Sequence, residues 1–298
     1  MKTFIKTSLV TLALITLPVS ANTPTTPLVC AEAAASTLIV DVLDTGAKGD
    51  GQTDDTAAIQ KAIDQVAGTG GTVSIPNGTY MIDALTSLEL GSNMTLSLAA
   101  NTVLQAIGND SSGPYAVVRA DGISNANITG GTIAGERATH QGAGAEYGIG
   151  IKILQSNNVV IEHVVSMNNH GDGFYVGGRN APSTNITLCS DTANNNYRNN
   201  MSITHANGVT IKNSIFENAN GTMPMSNIDI EPNSGNTVNN VTITGSSFLK
   251  TKHTGLEVWG KGSSITNVTF TGNTFSGNGT SFYASPGIDY TQSDNTGL

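Results

Sequence analysis

The chain has 298 residues, of which 34 are glycine and 12% are charged, and its formal net charge is −9. That length allows one large domain or two small ones. The acidic balance argues against a nucleic-acid partner, which would require basic surface patches. Low charge with much Gly, Asn, Thr and Ser would also suit a disordered chain, but regular apolar alternation along most of the sequence argues against that.

Residues 1–21 read as a secretory signal peptide. Lys2 and Lys6 give the positive start, Leu9 to Leu17 the apolar run, and Val19-Ser20-Ala21 the small-residue cleavage site. The run is short for a membrane span, and no later segment is long and apolar enough to supply one. The expected location is secreted or periplasmic, with no membrane span after signal removal. Cleavage would remove two lysines and no acids, taking the charge from −9 to −11. Residues 22–37, rich in Thr, Pro and Ala, read as a loose leader, and residues 38–298 as one domain. Cys30 and Cys189 are the only cysteines. Export permits a disulfide between them; an unpaired state, with Cys189 simply buried, is equally open.

Leu38 to Val42 predicts a short strand, and Asp44 to Asp54 a Gly- and Asp-rich loop. Asp55-Thr56 opens a helix to about Val66, with an acidic first turn and an apolar stripe of Ile59, Ala62, Ile63 and Val66. Gly68 to Gly71 ends it, and Thr72 to Pro76 is a strand running into Asn77-Gly78. The stretch Asp41-Val42-Leu43-Asp44-Thr45-Gly46-Ala47-Lys48-Gly49-Asp50-Gly51-Gln52-Thr53-Asp54-Asp55-Thr56, with the Ala-Ala-Ile-Gln-Lys-Ala-Ile helix and Gly-Gly-Thr-Val-Ser-Ile-Pro-Asn-Gly-Thr-Tyr after it, resembles the N-terminal cap of the pectate-lyase-like superfamily. Polygalacturonases, several lyases, alginate C5-epimerases and phage tailspikes begin this way. The resemblance covers positions 40–82 of a cap that spans 38–82. It implies a parallel β-helix and a polysaccharide as the usual ligand, on a scaffold that hosts many reactions.

From Leu88 onward the chain alternates strand and turn in two interleaved registers. One runs through Asn127-Ile128, Val159-Val160-Ile161, Ile186-Thr187-Leu188, Val209-Thr210-Ile211, Val241-Thr242-Ile243 and Val268-Thr269-Phe270. The other starts at Gly148, Gly173, Asn200, Asn227, Gly255 and Gly287, at near-even intervals that lengthen towards the C-terminus. A repeat of this size predicts an all-β solenoid: a single-stranded right-handed parallel β-helix with an N-terminal capping α-helix. Asn168-Asn169 and Asn194-Asn195-Asn196 are expected to form amide ladders in its turns.

Stacking the second register places Gly150, Tyr175, Ser202, Asp229, Glu257 and Asp289 on one outward line. A parallel line holds Lys152, Gly177, Thr204, Glu231, Trp259 and Thr291. Asp229 and Glu257 would then be neighbours about 5 Å apart, with Glu231 about 7 Å from Asp229. Carboxylates that close cannot all ionise easily, which is how a glycosidase obtains a protonated acid beside an ionised base. The leading expectation is a glycoside hydrolase with no cofactor. In it Asp229, Glu231 and Glu257 are the acid and base and Asp172 supports them, while Arg198, His253, Tyr175, Trp259 and Lys152 hold the sugar. The alternatives are a lyase or uronate C5-epimerase, whose acids would bind Ca²⁺ with Arg198, His253 or Lys152 near the C5 proton, and a non-catalytic binding or structural β-helix. Either a monomer or a homotrimer is compatible.

Acids at such outward positions are expected to be solvent-exposed, as are Glu136, Arg137 and His140 in their Gly-rich loop. His170 to Gly173 reads as a turn, Asp289 as structural, and His163 and His205 carry no assignment. The polygalacturonase set (Asn-Thr-Asp, Asp-Asp, Gly-His-Gly, Arg-Ile-Lys) is not present in order. The epimerase-like Tyr-Gly-x-Asp-Pro-His-Glu is absent too, because Tyr147-Gly148 continues as Ile-Gly-Ile-Lys. The resemblance therefore transfers no specific activity residue by residue.

Overall fold

The computed structural model describes residue 30 and residues 37–142, 147–260 and 264–298. The expected signal peptide, residues 1–21, and nearly all of the expected leader lie outside them. Among the described residues the strands form three parallel sheets of ten, nine and eight strands, and from Thr72 onward each turn of the chain visits the three in order. This is the predicted coil of strands. The ten-stranded sheet is called the first here, the nine-stranded the second and the eight-stranded the third.

The core is a stack of equivalent positions. In the first sheet Ile128, Ile161, Leu188, Ile211, Ile243 and Phe270 lie in register and are buried. In the second, Phe216, Phe248 and Phe275 stack with centroids 5.8 and 4.7 Å apart. The third contributes Val118, Ile151, Phe174, Met201, Ile228 and Leu256. Alternation puts every second side chain inside, and each fully buried Ile, Leu or Phe contributes about 1.5–3 kcal/mol.

Asparagine sets the corner before the first sheet's apolar run. Asn125, Asn158, Asn185, Asn240 and Asn267 all have φ between 53° and 57°. Asparagine tolerates this left-handed conformation better than other side chains, and its amide bonds to the coil before it. Asn158 donates to Asn125 at 2.8 Å, and Asn267 to Asn240 at 2.6 Å. The expected ladders at the other corner also form, with Asn195 donating to Asn168 at 2.7 Å and Asn169 to Asn196 at 2.8 Å.

Helix α1, Thr56–Val66, packs its predicted stripe Ile59, Ala62, Ile63 and Val66 onto the first coils. Asp55 precedes it but does not cap it. Its carboxylate accepts the Lys48 and Gly49 N–H groups at 2.7 and 3.0 Å, so it ties the preceding loop instead. Part of that loop, Asp50–Asp54, is a strand of the second sheet. Cys30 and Cys189 are joined in a disulfide, with Cα atoms 6.1 Å apart. Among the described residues no helix is long and apolar enough to cross a membrane.

Two repeat copies differ from the sequence reading. The strand Gly148–Leu154 pairs Ile151 with Phe174 and Lys152 with Tyr175, two residues on from the expected register. Lys152, not Gly150, therefore stands on the Tyr175 line. Gly150 instead lies against the turn before Phe174, where a Cβ would collide with Ser166 Oγ and come within 2.7 Å of the Gly173 carbonyl. At the C-terminal end the third sheet closes with Thr280–Ala284, pairing Glu257 with Tyr283. Gly287 to Thr291 is not a sixth copy; Tyr290–Ser293 extends the first sheet, and Asp289 is an exposed residue before it.

Candidate active site

The outward line of the third sheet reads Glu89, Arg119, Lys152, Tyr175, Ser202, Asp229, Glu257, Tyr283. The expected pairing of Asp229 with Glu257 is present. The expected exposure is not, since Asp229 is 2% exposed and Glu257 7%. The turn residues before each strand fold over the line and bond to it, which removes the acids from water.

Asn199 is the centre of that network. Its side-chain N–H₂ donates to Ser202 Oγ and to Asp229 Oδ2, both at 3.1 Å, and its backbone N–H donates to Asp172 Oδ1 at 3.0 Å. Arg198 Nη1 reaches Asp172 Oδ2 at 3.1 Å and Ser202 Oγ at 3.2 Å. One coil on, Ser226 Oγ donates to Glu257 Oε2 at 2.6 Å. His253 Nδ1 lies 3.8 Å from the same oxygen and 3.1 Å from Thr254 Oγ1. Asn199, Ser202 and Ser226 had no assigned role in the sequence. The signal was their position: Asp172, Asn199, Ser226 and Thr254 each sit at the second position before the first core residue of their strand.

Asp229 Oδ1 has no hydrogen-bond partner. Burial raises the Asp229 pKa well above the usual carboxylate value, and the charges of Glu231 and Glu257 raise it further. A carboxyl that is buried, half-satisfied and beside two acids holds its proton. Lys152 shows the mirror effect. Burial, then the charges of Arg119 and Arg179, lower its pKa. Its Nζ stands 5.5 Å from the centroid of the Tyr175 ring, and the Tyr175 hydroxyl meets Thr204 Oγ1 at 2.8 Å.

These residues line connected hollows. Lys152, Asp172, Tyr175, Arg198, Asp229 and Glu231 face a cleft of about 320 Å³ walled by Pro114 and Tyr147. Glu231 also borders a wider trough of about 950 Å³ that continues past Trp259 and Tyr283. Glu257 and His253 open into a recess of about 230 Å³ beside the same two aromatics. Trp259 lies next to Glu231, as expected, and its indole stacks on Tyr283 at 5.5 Å. Every predicted site residue thus lines one continuous face, with Asp229 and Glu257 on neighbouring strands but opening into different hollows. No group of three or more His, Cys, Asp or Glu among the described residues is placed to hold a metal ion.

The loop with Glu136, Arg137 and His140 is also not the exposed segment expected. Glu136 is 3% exposed and takes a hydrogen bond from the Tyr115 hydroxyl. Burial and that bond raise the Tyr115 pKa far above its ordinary value. His140 stacks on His170 at 3.7 Å, and His170 on Tyr197 at 4.8 Å. Arg137 Nη1 bonds the Asn195 carbonyl at 2.8 Å and Nη2 bonds the Asn220 side chain at 2.8 Å, so the loop is riveted across the turn ladder.

Fold and N-terminal sequence together define the class: a parallel β-helix of the pectate-lyase-like type. Residues 39–110 match the family model "Rhamnogalacturonase A/epimerase, pectate lyase-like". Among curated proteins, the chain is 33% identical over 221 residues to the uncharacterized protein YclG of Bacillus subtilis (strain 168), covering 65% of this chain and 38% of that one. It is 36% identical over 155 residues to alginate lyase 7 of Azotobacter vinelandii, covering 50% of this chain and 16% of that one. The chain thus spans well under half the length of either. Among solved structures, an iota-carrageenase complexed to iota-carrageenan fragments superposes with a TM-score of 0.65 at 17% identity, covering 82% of this chain and 56% of that one; a likeness at that identity concerns the fold.

Proposed function

We propose that the protein is an exported enzyme that hydrolyses a polysaccharide, with Asp229 as general acid and Glu231 as general base. The observation that carries this is the pair itself. One buried carboxyl keeps its proton, with an oxygen that has no hydrogen-bond partner, and a second acid two residues on lines the same cleft. Asp229 gives its proton to the glycosidic oxygen as the bond to the anomeric carbon breaks. Glu231, which faces the same cleft, takes a proton from the water that attacks that carbon. Glu257 on the neighbouring strand, held by Ser226, and Asp172 keep the Asp229 proton in place electrostatically, and Arg198 balances Asp172. Tyr175, Trp259, His253 and Lys152 line the bed for the chain. Relatives that act on polysaccharides support the substrate class, and the disulfide suits an oxidising compartment outside the cytosol.

A lyase or epimerase reading is favoured by one observation, the lowered pKa of Lys152 beside the Tyr175 ring, which suits proton abstraction at C5. One experiment separates the two. The protein and its Asp229→Asn variant are incubated with neutral and uronate polysaccharides, with and without calcium, and new reducing ends and ultraviolet absorbance of unsaturated sugars are read on the same samples. Reducing ends without absorbance, lost in the variant, are expected. Absorbance, or turnover surviving in Asp229→Asn, refutes the hydrolase assignment.

A further inference from the structure

The outward line of the third sheet changes sign along the axis. Arg119 and Lys152 occupy adjacent rungs, Tyr175 and Ser202 are uncharged, and Asp229 and Glu257 follow with Glu231 at their flank. Most of the cations near the cleft have carboxylate partners: Arg119 with Glu89 at 2.5 Å, Arg179 with Asp121 at 2.6 Å, Arg198 with Asp172 at 3.1 Å. Lys152 differs. Among the described residues no carboxylate lies within ion-pair distance of its ammonium, which is half-buried and faces the cleft above Tyr175. A half-buried ammonium facing a cleft, with no described carboxylate close enough to pair with it, is a socket for an anion. The opposite holds three rungs away. A carboxylate on the sugar at Asp229 would face Glu231 and Glu257, and the nearby Arg198 is engaged by Asp172.

Resting on the hydrolase reading above, we infer that the substrate is a mixed acidic polysaccharide, bound along the third sheet with an anionic sugar at Lys152 and a neutral sugar at the cleavage position. Strands stack at about 4.8 Å, so Lys152 and Asp229 are about 14 Å apart along the axis. A pyranose ring advances its chain by close to one coil, which spaces the acidic sugar about three sugar units from the ring at Asp229. A homopolymer of uronates fits poorly, because it would set a carboxylate on every rung, including the acidic ones. Lys152 is then the residue that determines specificity.

The test uses acidic heteropolysaccharides, each beside its carboxyl-reduced form, with polygalacturonate and alginate as uronate homopolymers. Wild type is expected to cut at least one heteropolymer and leave a neutral sugar at the new reducing end, read by mass spectrometry. Its KM for the intact polymer should be lower than for the reduced form by about tenfold or more, the scale of one charge-assisted contact. That preference should collapse in Lys152→Met and Lys152→Gln and return in Lys152→Arg. Cleavage between two uronates, faster turnover of either homopolymer, or an intact-to-reduced preference unmoved by Lys152→Met overturns the substrate assignment while the hydrolase reading stands, provided Asp229→Asn is inactive. An active Asp229→Asn, or no polymer cut at all, overturns the hydrolase reading and this inference with it.

Discussion

On the hydrolase reading, Asp229→Asn should abolish turnover, and at neutral pH it should stabilise the protein. The carboxyl is buried beside Glu231 and Glu257, and its folded pKa is raised well above the ordinary 3.8. Between the unfolded and folded values, the folded chain keeps a proton that the unfolded chain has shed. The stability that proton supplies is fully present below the unfolded pKa and is lost as pH rises towards the folded one, at about 1.4 kcal/mol per pH unit. An asparagine carries no such proton, so this slope disappears. The near-isosteric amide can still meet Asn199 by turning its oxygen to the Nδ2 donor. Asp191, which burial pushes up to about 8, adds its own slope over the same window, but in both proteins alike, so it cancels in the comparison. Each kcal/mol recovered should raise Tm by about 2–4 °C in a chain of this size. The assay is Tm against pH from about 4 to 8 for the two proteins, with kcat measured alongside. The curves should diverge as pH rises, the variant lying higher, while kcat falls by about 10²–10⁴-fold, the usual worth of a general acid. Parallel melting curves, or a variant that loses ground as pH rises, would refute the burial argument. Wild-type activity should decline with rising pH once Asp229 begins to lose its proton.

Ser226→Ala removes the 2.6 Å hydroxyl contact to Glu257. Losing a bond to a charged group costs about 1.5–3 kcal/mol, so kcat/KM should fall about 10–100-fold with the fold intact; an unchanged rate would remove Glu257 from the mechanism. Trp259→Ala strips an exposed indole from its stack on Tyr283. A sugar ring laid on the indole would gain about as much as such an aromatic pair, about 0.5–1.5 kcal/mol, so KM should rise about two- to tenfold with little change in kcat. The opposite split would place the indole in the chemical step. Cys30→Ser opens a disulfide whose cysteines are far apart in sequence, with a separation of 159. Loop-closure entropy sets the loss at about 4–5 kcal/mol, readable as a lower denaturant midpoint, and equal midpoints with and without the bond would contradict it.

The middle of the site was legible in the sequence because its coils are regular. From Phe174 through Met201 and Ile228 to Leu256 the coils are nearly equal in length, and the apolar alternation admits one register. The ends were not. Ile149, Ile151 and Ile153 alternate without interruption, so a slip by two leaves every inward side chain inside. What marks the observed register is Gly150, which lies where a Cβ would collide with the neighbouring coil. Burial of the acids was hidden for a related reason. It arises from Asn199 and Ser226 folding back over a neighbouring coil, which a line-by-line stacking of strands does not contain. The aromatic column did leave a trace: His140, His170 and Tyr197 follow one another at a spacing of one coil each. The loop's glycines suggested exposure instead, and the repeat spacing was the better guide.

A solenoid that places its charged groups on one line of strands also grades distance in steps. Lengthening a turn pushes a loop outward but leaves Lys152 and Asp229 where they are, because each is locked to its neighbour by strand pairing. Moving them closer or farther apart takes the loss or gain of a whole coil, such as the stretch that runs from Ser202 to Asp229. The molecule is in that sense a ruler with fixed graduations. Mutation can recolour a graduation, but only duplication or deletion of a coil can change how many lie between two marks. Coil-sized rearrangements are therefore the natural unit by which such a protein would be re-fitted, in evolution or by design, to a polymer of different repeat.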